Sequence, residues 1–171
     1  MLTHVEEAVF ADRTVAIGSA PAADFNAQGG SDLVWQSTGG QPVIWLMNGT
    51  TLQSQAAVGS NPGTSWHVKG SGDFDGDGKS DILWQNYNGQ AHIWLMNGTT
   101  ATSTVDAGSN PGASWHVKGT SDLNGDDLSD IIWQNDNGQA MGWMMSGTSV
   151  LSTTNLGSNP GPTWHLIAMG G

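Results

Sequence analysis

Apolar and polar positions along this chain fall into short extended runs separated by turn residues. Ser80-Asp81-Ile82-Leu83-Trp84-Gln85 is a compact apolar run of strand length, the pattern of a strand buried on both faces. Asn88-Gly89 follows, and both residue types accept the positive φ that a tight hairpin turn needs. Ala91 to Met96 predicts a second strand, closed by Asn97-Gly98. Thr99 to Val105 is rich in Thr and β-branched residues and predicts a third, more exposed strand. After the turn Ser109 to Gly112, the stretch Ser114 to Gly119 predicts a fourth. No window carries a 3.6-residue stripe ending in helix caps, so the expected class is all-β.

The same pattern returns along the chain. Trp35, Trp84 and Trp133 are 49 residues apart, as are Trp45, Trp94 and Trp143, and Trp66, Trp115 and Trp164. All 9 tryptophans therefore occupy three phases of one period. The turn Ser60-Asn61-Pro62-Gly63 returns at Ser109 and Ser158. The units are residues 24–72, 73–121 and 122–171, the last with a closing strand at 164–169, and residues 1–23 stand outside them as an arm or extra strands. Four short strands per unit is the blade of a β-propeller. A β-solenoid or sandwich is the alternative. Three bulky rings per unit suit wedge-shaped blades packed face to face.

Composition narrows the function classes. Fifteen acids against 4 bases give a net charge of −11, which argues against nucleic acid and anionic membrane surfaces. There is no Cys, hence no disulfide framework and no thiol nucleophile. No run of 18 apolar residues exists to span a membrane. Met1 to Ala20 shows no export-signal core, because Glu6, Glu7, Asp12 and Arg13 interrupt it.

Two thirds of the acids lie in one recurring loop. Its second copy, Asp73-Phe74-Asp75-Gly76-Asp77-Gly78-Lys79-Ser80-Asp81, places carboxylates at positions 1, 3, 5 and 9. Four carboxylates so close repel one another, and a divalent cation relieves that repulsion. Oxygen ligands without His or Cys point to Ca²⁺, which takes six to eight oxygens. The carbonyls of Lys79 and Leu128 are further candidate donors. The opening resembles an EF-hand, but Trp84 stands where its bidentate Glu belongs, and the flanks are strands. The third copy offers Asp122, Asn124, Asp126 and Asp130, with Asp127 in place of Gly78. The first offers Asp24, Asn26, Gln28 and Asp32, with only two carboxylates, so weak or no occupancy is expected there. Solvated acidic turns are the plainer alternative for all three.

The run Asp-Phe-Asp-Gly-Asp-Gly-Lys-Ser-Asp-Ile-Leu-Trp resembles the FG-GAP/VCBS repeat of integrin-α-like propellers and of many microbial propeller proteins, some of them lectins. The resemblance covers Asp24 to Gly171. It implies blades with a calcium loop between their first and second strands, rings of commonly about seven blades, and binding or adhesion roles. By that analogy the strands of one blade run Trp66 to Gly72, Asp81 to Asn86, Gln90 to Gly98 and Thr99 to Gly108. Three blades cannot close a ring, and open sheet edges invite pairing. The chain ends on a lone first-type strand and begins without one, so a homodimer forming a six-bladed ring is expected. A seven-bladed assembly using residues 1–23, or a place in a longer propeller, are the alternatives.

Opposite the acidic loops, the turn face gathers Trp66 with His67, Trp115 with His116, and Trp164 with His165. A flat indole beside amides and imidazole suits a sugar ring, which predicts a multivalent lectin-like or adhesion module. The alternatives are a structural or protein-interaction module, in which these rings are packing wedges, and an accessory domain of a secreted hydrolase. No catalytic residue is expected. The notable polar clusters are triplicated, and the unrepeated His4 and His92 show no partner motif. The sequons at Asn48 and Asn97 follow the period and read as turns. Calcium sites in short loops need micromolar to millimolar metal, which predicts an extracellular or cell-surface location.

Overall fold

A computed structural model describes residues 7–9, 14–16 and 23–167. The described residues form strands and turns without helix. Strands β1 (Glu7–Val9) and β2 (Thr14–Ala16) pair antiparallel as a two-stranded sheet. The rest of the 1–22 arm lies outside the described residues. Three larger antiparallel sheets follow. The first contains β3 (Leu33–Gln36), β4 (Pro42–Asn48) and β5 (Thr51–Ala57). The second contains β6 (Trp66–Gly72), β7 (Asp81–Asn86), β8 (Ala91–Asn97) and β9 (Thr100–Ala107). The third contains β10 (Trp115–Ser121), β11 (Asp130–Asn135), β12 (Ala140–Ser146) and β13 (Ser149–Asn155). Each is a meander in chain order, the arrangement of a propeller blade.

Side-chain alternation decides how the sheets stack. On β7, Ile82 and Trp84 face the first sheet and join Trp94 and Met96 around Phe25, Ile44 and Val58. Leu83 points the other way and joins Ala91, Ile93 and Ala107 against Ile131, Trp133, Trp143 and Met145 of the third sheet. The middle sheet is thus buried on both faces, as its apolar run predicts. Phe25 and Phe74, the second residues of the first two acidic loops, are fully buried and wedge each loop into the core shared with the next sheet. Glutamines link successive sheets. Gln36 Nε2 donates to Trp66 O at 2.6 Å and its Oε1 accepts from Val68 N at 3.1 Å, and Gln85 clips Trp115 and Val117 in the same way. Thr120 Oγ1 also donates to Ser71 O, where β6 and β10 run side by side.

The two ends of the stack are unlike its middle. The first sheet has no strand in the place that β6 and β10 occupy in the others, among the described residues. Trp35 is 51% exposed, whereas its repeats Trp84 and Trp133 are at 0%. At the far end, Gln134 Nε2 donates to Trp164 O at 2.8 Å and Oε1 accepts from Leu166 N at 3.0 Å. Trp164–Leu166 therefore sits against the third sheet as β6 sits against the first. Residues 164–167 of the expected closing strand join no ladder among the described residues, and 168 and 169 lie outside them.

The boundary at residue 73 falls inside the second sheet, between β6 and β7. The second and third sheets therefore take their first strands from the preceding sequence unit. The Asn-Gly hairpins abut the Ser-Asn-Pro-Gly turns closely. Gly89 has φ +100°, and a β-carbon there would overlap the Gly112 carbonyl. This contact explains why that turn needs glycine.

Candidate functional site

Each acidic loop is a string of side-chain-to-backbone turns. In the second, Asp73 Oδ1 accepts from Gly76 N at 2.7 Å and Oδ2 from Gly78 N at 2.8 Å. Gly76 and Gly78 take φ of +78° and +80°, which lets the backbone fold tightly around that carboxylate. Asp75 Oδ1 accepts from Asp77 N at 3.3 Å. Asp81 is fully buried at the start of β7, where Oδ2 accepts from Phe74 N at 2.9 Å and Oδ1 from Met96 N at 2.8 Å. The ladder of β8 and β9 shifts register between Leu95 and Met96, and the Met96 amide beyond that bulge is the one Asp81 holds.

Carboxylate oxygens of Asp73, Asp75 and Asp81 all lie within 4.8 Å of one another. Burial pushes the Asp81 carboxyl up to about 7, and the charges of Asp75 and Asp73 push the same way against the Phe74 and Met96 amides. A divalent cation beside these three carboxylates would oppose that shift by favouring the charged form. Asp77 is turned aside. Its Oδ2 meets Lys79 Nζ at 2.7 Å, and against a desolvation that raises it, Lys79 holds its carboxyl below the usual range.

The third loop repeats the frame. Asp122 Oδ1 accepts from Gly125 N and Oδ2 from Asp127 N, and Asp127 takes φ 66° in the place of Gly78. Asn124 Oδ1 accepts from Asp126 N, Asp126 Oδ1 accepts from Leu128 N, and Asp130 holds Leu123 N and Met145 N. In the first loop Asp24 accepts from Gln28 N and Gly29 N, and Asn26 also accepts from Gln28 N. Asp32 there holds Phe25 N and Met47 N. The Gln28 amide thus caps the loop, but its side chain adds no charge. Among the described residues, the second loop alone draws three acid side chains together. The loops also interlock, since Ser80 N donates to Asp24 O and Ser129 N to Asp73 O, both at 2.7 Å.

The Trp-His pairs are split by strand alternation. Trp66 packs on the core between the first two sheets, while His67 turns to the opposite side and stacks on Tyr87 at 4.5 Å. Trp115 packs on the second core, and His116 Nε2 meets Asp136 Oδ1 at 2.7 Å on the surface. Trp164 and His165 are both exposed. Trp66 meets a different histidine: its ring lies 5.4 Å from that of His92. His92 Nδ1 lies 2.7 Å from Asp106 Oδ1, and these two residues face each other across β8 and β9.

Residues 24–84 match the model of the FG-GAP-like repeat family. This stretch is similar to the FG-GAP-like repeat. The match begins at Asp24, runs through the first sheet and the second acidic loop, and ends on Trp84. The 49-residue period repeats the spacing of these residues on into the third sheet. No curated protein matches the chain significantly. FG-GAP repeats are generally non-catalytic, often bind calcium and are typically extracellular. No helix among the described residues is long and apolar enough to cross a membrane.

Proposed function

We propose that this chain is a calcium-stabilised, non-catalytic binding module of propeller blades. The convergence of Asp73, Asp75 and Asp81 carries the reading. These three would hold Ca²⁺ with the Lys79 carbonyl, and Asp77 would join on leaving Lys79. Asp122, Asn124, Asp126 and Asp130, with the Leu128 carbonyl, would form a second site. Asp24, Asn26, Gln28 and Asp32 would hold the ion weakly. When bound, the cation supplies positive charge that relieves carboxylate repulsion and braces the loops against the sheets. Calcium added to chelator-treated protein is expected to raise the melting temperature by roughly 5–10 °C at about 100 times the dissociation constant. Equal melting temperatures with calcium and with excess chelator, read by differential scanning calorimetry, would overturn the metal assignment.

The uncovered ends favour completion by a second copy. Trp164–Leu166 of one chain would add to the free edge of β3 in another, by strand addition. The ring would then cover Leu33 and Trp35, as the repeats of both are covered at Ile82 with Trp84 and at Ile131 with Trp133. Light scattering in calcium is expected to give twice the 17.8 kDa chain mass. A monomeric mass at micromolar protein would refute closure in trans and favour completion within a longer chain.

A ring of exposed turns and aromatic plates serves a glycan-binding, lectin-like role at a cell surface or in the extracellular medium. Packing of Trp66 and Trp115 onto the cores favours a second reading, protein adhesion, in which those rings are wedges. Their replacement by alanine would then unfold the protein rather than remove a ligand.

A further inference from the structure

A cleft between the preceding turn and the sheet occurs at the second and third sheets, but only the one at the second has a histidine in its wall. A cavity of about 300 Å³ lies between the turn Gly59–Pro62 and the strands β8 and β9. Trp66, Trp84, Trp94, His92 and Asp106 line it. The period places Val43 and Met141 where His92 stands, and Ala57 and Asn155 where Asp106 stands. At these ladder positions the imidazole–carboxylate pair therefore stands in the second sheet alone among the described residues. Packing gives no reason for it, because the first and third sheets form the same ladders without it.

The chemistry of the walls defines what fits. Asp106 is an acceptor, so the His92 Nδ1 carries the proton of their hydrogen bond and neutral His92 presents Nε2 as a second acceptor. Asp106 is largely exposed, and its carboxylate has acceptor capacity beyond that bond. Trp84 also lines the cavity, and its buried Nε1–H, like that of Trp133, has no partner among the described residues. Trp66 adds a half-buried aromatic wall. A complementary ligand combines hydroxyl donors with an apolar ring face of cavity size. A quaternary ammonium ion would meet Asp106 and the indole faces but offers no donor to the His92 acceptor.

We propose that this cavity binds one neutral pyranose residue, its C–H face against Trp66 and its hydroxyls on His92 and Asp106. The assignment rests on the glycan-binding reading above and refines it. Specific recognition belongs to one site per chain rather than to three equivalent Trp-His turns, so bivalence requires two chains.

The test is titration of calcium-loaded wild type and of His92→Val/Asp106→Ala with the methyl glycosides of glucose, galactose, mannose, fucose and N-acetylglucosamine, read by calorimetry and tryptophan fluorescence. The variant installs the residues that the first repeat carries at Val43 and Ala57, so a melting temperature close to wild type is expected. Saturable binding of at least one glycoside at one site per chain, weakened tenfold or more in the variant, is the expected result. Undiminished binding by the folded variant would overturn the site while leaving glycan binding intact. Failure of wild type to bind any glycoside would overturn both. Binding of tetramethylammonium but no glycoside, lost in the variant, would overturn the ligand class. If the variant is destabilised, His92→Gln alone, which keeps a side-chain acceptor, is expected to retain part of the affinity. Its complete loss in a folded protein would overturn the hydroxyl-acceptor role.

Discussion

Alanine at Trp84 is expected to destabilise the folded chain by about 3 kcal/mol, the lower end for a buried Trp. The side chain is fully buried, its ring lies 4.9 Å from Trp94, and it fills the core between the first two sheets. Removing it leaves a cavity bounded by strands on both sides, which cannot collapse without breaking ladders. Losing the unpartnered indole N–H offsets part of that cost, which sets the estimate at the lower end. Trp35 has the same place in its repeat, but half its surface is exposed. In an isolated chain Trp35→Ala is expected to cost only about 1 kcal/mol, in proportion to the area it buries. Urea denaturation of both variants at several protein concentrations separates two situations. A large gap between them, independent of concentration, means that the Trp35 face is open in solution. A Trp35→Ala cost that approaches that of Trp84→Ala and depends on concentration means that a second chain covers it.

Asp81→Ala is expected to cost about 2–6 kcal/mol in calcium, because it leaves two buried amides without acceptors at about 1–3 kcal/mol each. These are the Phe74 and Met96 N–H groups, one in the loop and one on β8. The carboxylate therefore ties the metal loop to the ladder register whether or not an ion is bound. In chelator the cost is expected to shrink, because the variant also removes a buried negative charge that Asp73 and Asp75 repel. The difference between the two conditions, read by urea denaturation, isolates the contribution of the ion. An identical cost with calcium and with chelator would mean that Asp81 acts only as a backbone clamp.

Much of this arrangement is legible along the chain. The runs at Ile82 and Ile131, the Asn-Gly turns and the aspartate spacing are local patterns, and each depends on residues within a few positions. The observed β6 to β9 agree with the expected strands to within a residue or two. The Trp-His turns are legible as sequence, but on β6 and β10 the adjacent Trp and His point to opposite faces.

The His92–Asp106 pair was hidden for a different reason. Counting back from the Asn97–Thr100 turn places His92 opposite Val105. The bulge between Leu95 and Met96 moves the register by one, which brings Asp106 opposite His92 instead. The unrepeated His92 and Asp106 were the available signal, yet neither marks the other without that shift.

Period, strand order and loop chemistry are thus properties of the amino-acid string, because alternation and turn preference act between near neighbours. Burial of equivalent residues is not. Trp35, Trp84 and Trp133 sit in nearly the same local sequence, and one is half exposed while two are sealed, since solvent access depends on whether another sheet lies across that face. The His92 cavity likewise exists only where a bulged ladder meets the turn of the preceding sheet, a contact between segments far apart along the chain.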